Sequence, residues 1–224
     1  MSAMKARTQP KVMIAIPMQG SVCADFFDSV LGLQTNGNTK LCTVVNSLVY
    51  DARNKLAMEA IKEGFDYILW IDSDMTFDRD ALLRLLEDAE AGREYVSGLC
   101  FSRKLPTVPV LCKKLTWEQT GESGIVHDQD LYLDYPKDDI FEVDASGAAF
   151  CLVKVSLIKE VAEHFRMSPF HPLPFMGEDY SFCWRVKQLG KKMYCDSRVK
   201  IGHVGTMIFD EATYLAQLDP ENWK

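Results

Sequence analysis

Two aspartates separated by one residue, Asp72 and Asp74, follow directly on the apolar run Tyr67–Ile71. Side chains at positions i and i+2 of an extended chain point the same way, so the two carboxylates lie together. A pair of carboxylates suits a hard divalent cation. Taken alone, the pattern is better explained by turn residues ahead of a helix capped by Asp78. The strongly apolar strand that ends at these acids favours a metal site.

A second pair of acids, Glu178 and Asp179, stands at the predicted start of a helix. Either carboxylate could act as a general base that removes a proton from an attacking hydroxyl. The plain alternative is helix capping, with Asp179 as the N-cap and Glu178 favoured by the helix dipole. The preceding segment, Arg166–Gly177, contains three prolines, which predict an irregular and mobile loop.

Two single residues, His203 and Arg53, have settings that suit a ligand site. His203 lies between two glycines after a predicted short strand, and such small neighbours let a metal ion approach. A lone histidine is more often a hydrogen-bonded core or loop residue. Arg53 and Asn54 fall in the first turn of a predicted helix and could direct polar groups at a nucleotide. An exposed helix arginine would look the same.

The elements that position these residues alternate between strand and helix in the first half of the chain. Apolar runs closed by turn residues predict the strands Lys11–Pro17, Thr39–Asn46 and Tyr67–Ile71. Helical spacing predicts the helices Ser21–Leu33, Asp51–Gly64 and a third from Asp78 to Gly92. In the first helix we expect Phe27, Val30 and Leu31 to lie on one face. This alternation is typical of a parallel sheet with helices on both faces.

The second half contains shorter, partly polar runs that predict a mixed extension of the sheet. The predicted strands are Tyr95–Leu99, Val108–Lys113, Gly124–Leu133, Ile140–Val143 and Ala149–Lys154, with a turn at Thr120 and Gly121. Two further helices are predicted at Val155–Phe165 and Asp179–Leu189. Neither repeats nor a low-complexity linker divide the chain, so the sequence predicts one domain.

Composition narrows the range of functions. The 224 residues carry a formal charge of −7, which argues against broad electrostatic capture of nucleic acid. Seven scattered cysteines without a C-x-x-C pair are interpreted as reduced core residues. No run approaches the roughly 20 apolar residues that span a bilayer. We therefore expect a cytoplasmic protein without a transmembrane segment.

Taken in order, the motifs resemble the family 2 glycosyltransferases and their relatives of the A-type nucleotide-sugar fold. The similarity covers Lys11 to Gly205. Its parts are a first strand that ends near Pro17, an Ala52-Arg53-Asn54 segment, the D-x-D after the central strand, and Gly177-Glu178-Asp179 before the last core helix. Asp144–Val161 looks like the family's "GA" strand and helix.

The resemblance implies a single-domain, Rossmann-like mixed α/β sheet with helices on both faces. It also implies a domain over residues 11–205, with a nucleotide-binding half (11–99) and an acceptor half (100–205). Residues 1–10 would be a flexible N-terminus and residues 206–224 a C-terminal tail. The implied activity is metal-dependent transfer of a sugar, with inversion, from a nucleotide-sugar donor to an acceptor hydroxyl.

The implied roles are assigned residue by residue. Asp74 would bind Mn²⁺ or Mg²⁺, with His203 and Asp72 beside the ion, and Asp72 would also touch the donor ribose. Asp179 would be the base, next to Glu178. The remaining donor-binding positions would be Pro17, Arg53 beside the nucleobase, Ser73, Gly147 and Ala148. The family's usual V-D-D-G-S segment is replaced by VVNSLVYD, so the resemblance leaves the nucleobase open.

Two other functions fit a fold of this class. A nucleotidyltransferase would generally carry a glycine-rich, basic loop after the first strand, whereas IPMQGSVCAD has one glycine and no basic residue. A non-catalytic nucleotide-sugar-binding or scaffolding protein would not need both Asp74 and Asp179. The acceptor stays open among a saccharide, a lipid-linked glycan, a protein, a small molecule and a modified nucleobase.

Overall fold

The computed structural model describes residues 9–120, 124–205 and 208–218. The predicted flexible N-terminus falls largely outside this range, since residues 1–8 are not described. Gly121 of the predicted turn and residues 206–207 and 219–224 of the predicted tail also lie outside it. The described residues form a mixed α/β fold around a nine-stranded sheet, with a separate three-stranded sheet beside it.

The first half forms three strand–helix units, as the apolar periodicity predicted. The strands are β1 (Val12–Met18), β2 (Thr39–Val45) and β3 (Tyr67–Ile71). The helices are α1 (Ala24–Gly32), α2 (Val49–Glu63) and α3 (Ala81–Glu90). Strand β1 pairs in parallel with both β2 and β3. Their carboxyl ends therefore lie along one edge of the sheet, which is where ligands bind in open α/β sheets.

The second half makes the large sheet mixed. Its additional strands are β4 (Met75–Phe77), β5 (Tyr95–Leu99), β8 (Ile140–Val143), β10 (Phe150–Lys154), β11 (Met193–Val204) and β12 (Ile208–Phe209). The order across the sheet is β12-β11-β5-β10-β3-β1-β2, and β4 and β8 also pair with β11. Strand β10 runs antiparallel to both of its neighbours, β3 and β5.

The sheet is covered by helices on both faces, so the predicted fold class is confirmed. Met13, Ala15 and Trp70 pack with α2 and two later helices, α4 (Val155–Phe165) and α5 (Glu178–Gln188). Val12, Ile14 and Leu69 point the other way and pack with α1 and α3. This alternation explains why β1 and β3 are apolar throughout.

A smaller sheet lies beside the large one. It consists of β6 (Leu111–Thr120), β7 (Gly124–Leu131) and β9 (Ala145–Ser146). Strand β9 ends directly before Gly147. A last helix, α6 (Glu211–Leu218), lies in the region predicted as a tail, so the described part of that tail is structured. None of the described helices has the length and hydropathy needed to cross a membrane.

Several predicted boundaries are wrong by a few residues. Helix α2 begins two residues before Asp51, with Leu48 as its N-cap. Asp51 instead lies in the first turn, where a negative charge is favoured by the helix dipole. Helix α3 is capped at Asp80 rather than Asp78, and α5 at Gly177 rather than Asp179. Strand β6 begins at Leu111, not at Val108.

Two further predictions fail for packing reasons. The buried residue of α1 is Phe26, whereas Phe27 and Leu31 are 53% and 69% exposed. Strand β11 is 12 residues long rather than short. A register shift against β5 between Asp196 and Lys200 interrupts its alternation, which hid its length in the sequence. All seven cysteines are free thiols, as predicted.

Candidate active site

A cleft of about 400 Å³ opens at the carboxyl ends of β1, β2 and β3. The residues that line it come from the ends of these strands and from the chain after β5: Pro17, Met18, Gln19, Ser47, Val49, Asp72, Ser73, Asp74 and Arg103. Clefts of about 470 and 530 Å³ lie elsewhere on the described surface. The charged groups, rather than the volume, therefore mark this cleft as the candidate site.

Beneath the cleft, Arg53 joins the end of β3 to the start of α5. Its Nη2 donates to Oδ1 of Asp72 at 2.7 Å, and its Nε donates to Oε1 of Glu178 at 3.1 Å. Arg53 is 1% exposed, and its guanidinium lies 5.4 Å from the ring centroid of Trp70. A buried guanidinium must be paired to offset the loss of hydration. Arg53 thus fixes two carboxylates that are 106 residues apart in the chain (178 − 72).

Asp179 lies next to this buried network but has no ionic partner among the described residues. Removal from water raises the pKa of its carboxyl to about 6, and the neighbouring charge of Glu178 adds to the rise. The backbone N–H of Tyr180 donates to its Oδ1 at 2.8 Å and opposes the shift, as does the charge of Arg53. A carboxylate with a pKa near the working pH suits proton transfer.

Two glycines border the Asp179 carboxylate. A Cβ atom added to Gly177 would lie 2.9 Å from Oδ1, and one added to Gly147 would lie 3.7 Å from Oδ2. Gly177 is the N-cap of α5, and Gly147 follows β9, so the start of α5 and the end of β9 meet here. Any side chain at Gly177 would displace the carboxylate, because contacts below 3.0 Å are not tolerated.

At the other end of the cluster, Asp74 is held by two basic side chains. Its Oδ2 lies 3.2 Å from Nε2 of His203 and 2.7 Å from Nη1 of Arg103. Partial burial raises the pKa of Asp74, but the hydrogen bond and charge of His203, together with the charge of Arg103, outweigh it and lower that pKa. Asp74 is therefore a permanent anion at neutral pH.

The register of β11 brings His203 to this position. His203 pairs with Met75 of β4, and the backbone N–H of Val204 donates to the carbonyl of Asp74 at 2.8 Å. Nδ1 of His203 lies 3.0 Å from the carbonyl oxygen of Phe101. A carbonyl only accepts, so Nδ1 carries a proton and Nε2 is the atom that faces Asp74. Metal-binding histidines are commonly oriented in this way.

The donor set suits a divalent cation that also binds a ligand. Nε2 of His203 and the Asp74 carboxylate face each other and could both contact one ion. Within the described residues, however, no group of three or more His, Cys, Asp and Glu side chains is arranged to hold a metal. Asp74 and His203 supply two ligands, whereas Mg²⁺ and Mn²⁺ commonly take six, so a bound diphosphate or water must complete the shell.

Asp72 differs from Asp74 although both follow the same strand. Burial raises the pKa of Asp72, the charge and hydrogen bond of Arg53 oppose that rise, and the charge of Asp74 adds to it. Its backbone N–H donates to the carbonyl of Ala149 at 2.8 Å, which ties β3 to the chain before β10. Asp72 is thus paired toward the protein interior, and Asp74 toward the surface.

The residues singled out from the sequence fall into three groups in space. Pro17, Asp72, Ser73 and Asp74 line the cleft, and His203 joins them through Asp74. Behind Asp72 lie Arg53, Glu178, Asp179 and Gly147. Ala148 is 3% exposed and belongs to the hydrophobic core. Arg53 does not line the cleft, and Asp72 is the cleft residue that it contacts.

Arg103 is the functional candidate that the sequence patterns missed. An isolated arginine in a loop has no periodicity to mark it, but it follows the carboxyl end of β5, and that placement was the available signal. Asn54 has another role: its Oδ1 accepts the backbone N–H of Phe170 at 2.9 Å and anchors the proline-rich loop. Residues 166–177 are irregular, as predicted, and Trp117 donates to the carbonyl of Pro174 at 3.0 Å. The loop's mobility stays a prediction.

Comparison with protein-family models and with curated proteins gives no match. Among solved structures, the chain is similar to "A197 from STIV", with a TM-score of 0.62 and 17% sequence identity. The similarity covers 87% of this chain and 86% of that chain. At this level of identity the likeness shows a shared fold and nothing about activity.

Proposed function

We propose that this protein transfers a sugar from a nucleotide-sugar donor to an acceptor hydroxyl, with inversion and with Mn²⁺ or Mg²⁺ as cofactor. The observation that carries the proposal is the meeting of two different carboxylate settings at one strand edge. Asp74 is held ionised beside His203, and Asp179 has a pKa raised to about 6. Pairs of carboxyls whose pKa values are pushed apart are typical of acid–base active sites.

The cleft would hold the donor. Pro17, Ser73 and Asp72 line it, and the free oxygen of Asp72 can accept a hydrogen bond from a ribose hydroxyl. Asp74 and His203 would hold the divalent ion, which, when bound, neutralises charge on the departing diphosphate. A protein with a net charge of −7 otherwise repels a nucleoside diphosphate.

Asp179 would accept the proton of the acceptor hydroxyl. As that oxygen bonds to the anomeric carbon, the bond from this carbon to the diphosphate oxygen breaks, and the proton passes to the Asp179 carboxylate. Glu178 and Asp72 are both engaged by Arg53, so Asp179 is the better base of the three. Attack from the face opposite the leaving group gives inversion.

The wall of the cleft argues against nucleotidyl transfer. The last residue of β1 and the residue after it, Met18 and Gln19, lie in that wall and are uncharged. A nucleotidyltransferase must stabilise charge on the α-phosphate, and the loop after the first strand offers only neutral groups for that purpose.

A screen of UDP-, GDP-, dTDP-, ADP- and CMP-sugars by thermal unfolding tests the proposal. We expect one donor class to raise the melting temperature in Mn²⁺ and to lose most of that effect in EDTA, because a ligand bound to the native state stabilises it. The best donor is then incubated with saccharide, lipid-linked, protein, small-molecule and modified-nucleobase acceptors, and the anomer of the product is assigned by NMR. A donor that stabilises the protein equally in Mn²⁺ and EDTA would contradict the metal assignment.

A further inference from the structure

Arg103 forms an ion pair with Asp74 at the cleft. Its Nη1 lies 2.7 Å from Oδ2 of Asp74, the same oxygen that lies 3.2 Å from His203. Among the described residues that line the cleft, Arg103 is the only basic one. Its side chain is 51% exposed, so it is free to take other positions.

A divalent ion on Asp74 conflicts with this arginine. An ion bound to Oδ2 at about 2.1 Å would lie within a few ångströms of the guanidinium, and like charges that close repel strongly at a partly buried site. The two cations compete for one oxygen. The guanidinium must therefore leave Asp74 when the ion binds.

The surroundings of Arg103 limit how far it can go. A Cβ atom on Gly205 would lie 2.9 Å from both Cγ and Cδ of Arg103, so the stem of the arginine packs on the bare backbone of this glycine. The chain around it is tied down, because Thr107 donates from Oγ1 to the carbonyl of Ser102 at 2.6 Å and from its backbone N–H to Gln217 at 2.8 Å. The stem stays, and the guanidinium turns within the cleft.

We propose that Arg103 is a diphosphate-binding residue that neutralises Asp74 while the cleft is empty and moves to the donor's phosphates when the ion binds. This inference rests on the proposed function, since that function supplies the diphosphate. The planar guanidinium matches phosphate oxygens in pairs, and the diphosphate is the anion brought next to it by the same ion. Asp74 therefore has a cationic partner in both states: Arg103 while the cleft is empty, and the metal ion when the donor is bound.

The exchange predicts effects of opposite sign on two affinities, and Arg103→Gln tests it while keeping most of the stem. Lys104→Gln is the matched control, because it removes the same charge from the exposed neighbour that does not line the cleft. The first measurement is binding of Mn²⁺ alone, from the EPR signal of the free ion. The second is binding of ADP, CDP, GDP or UDP, whichever the wild-type protein binds best, at saturating Mn²⁺.

We expect Arg103→Gln to bind Mn²⁺ several-fold more tightly, because a competing cation is gone, and the nucleoside diphosphate about tenfold more weakly, because a charged hydrogen-bond donor is gone. Arg103→Lys should recover part of the nucleotide affinity, and Lys104→Gln should change neither affinity beyond about twofold.

A loss of both affinities in Arg103→Gln, or no change in either, would overturn the role of Arg103 while leaving the proposed function in place. A wild-type protein that binds no nucleoside diphosphate in Mn²⁺ would contradict the proposed function and this inference together. Equal effects in Arg103→Gln and Lys104→Gln would mean that net charge alone is responsible, which also overturns it.

Discussion

Asp74 and Asp179 are the same residue type in one cluster, and the structure gives them opposite properties. Asp74 is part-exposed and sits between His203 and Arg103, which lower its pKa. Asp179 is partly buried, and burial together with the charge of Glu178 raises its pKa to about 6. His203 and Arg103 both contact Asp74, whereas Arg53 alone pairs with Asp72 and Glu178 beside Asp179. The environment, not the residue type, decides which acid holds a cation and which takes a proton.

Arg53 maintains this difference. It pairs with Asp72 and Glu178 and offsets part of the negative charge that these two acids place beside Asp179. The remaining negative charge of the cluster raises the pKa of Asp179. Among the described residues, its only hydrogen-bond partner is the backbone N–H of Tyr180. The buried ion pairs thus leave one acid poised to titrate.

Asp179→Asn should reduce the rate of transfer more than any other substitution considered for these two acids. The amide cannot accept a proton at neutral pH, so transfer should fall by roughly two to four orders of magnitude. Stability should not fall, because Oδ1 of Asn can still accept the N–H of Tyr180 and Gly177, not Asp179, is the N-cap. The raised pKa means that ionised Asp179 costs stability above about pH 6, so the melting temperature at pH 7.5 should be unchanged or higher. Near-normal transfer, measured beside that melting temperature, would remove Asp179 as the base.

Gly177→Ala should misplace the same carboxylate without removing it. The new Cβ would lie 2.9 Å from Oδ1 of Asp179, so the carboxylate must move. We expect transfer to fall roughly ten- to hundredfold, with donor affinity retained. Gly32→Ala at the end of α1 is the control, since its Cβ would meet only the side chain of Arg79 at 3.5 Å. Equal loss of donor affinity in Gly177→Ala would point to general disruption instead.

The pH dependence of the transfer rate should report the pKa of the base. Because the base must be ionised, the rate of transfer should be level above about pH 6 and fall about tenfold per pH unit below it. An acid limb near pH 4 would mean that the pKa of the base is not raised. Stopped assays from pH 4.5 to 8.5 at saturating donor locate the limb, with melting temperatures recorded at each pH. A limb at the same place in Asp179→Asn would belong to another group.

Continuous apolar runs made much of the fold predictable. Strand β3, strand β5 and helix α4 have the predicted bounds, and polar residues mark both ends of β3 and of α4. The face of helix α1 was predicted only in part. Val30 packs against the core, but Phe26 is buried while Phe27 stays in solvent, and a count of apolar residues could not tell these neighbours apart.

The site was predictable only in part, because spacing reports neighbours along the chain and not across it. The acid pair at Asp72 and Asp74 is visible since the strand aims both side chains. The contact between Arg53 and Glu178 spans 125 residues, and no local pattern encodes it. Arg103 reaches Asp74 from a loop whose path depends on α6 and β11, and neither of these elements was predicted with its observed length.

Calorimetric titration of the best nucleoside diphosphate, in Mn²⁺ and in EDTA, tests most directly whether Asp74 holds the ion that binds the donor. For the wild-type protein we expect an affinity at least about tenfold weaker in EDTA, because the ion links the carboxylate to the phosphates. Asp74→Ala should bind equally weakly in both, whereas Asp179→Asn should keep the full metal dependence. Equal wild-type affinity in Mn²⁺ and EDTA, or a metal dependence that survives in Asp74→Ala, would contradict the assignment of the two acids.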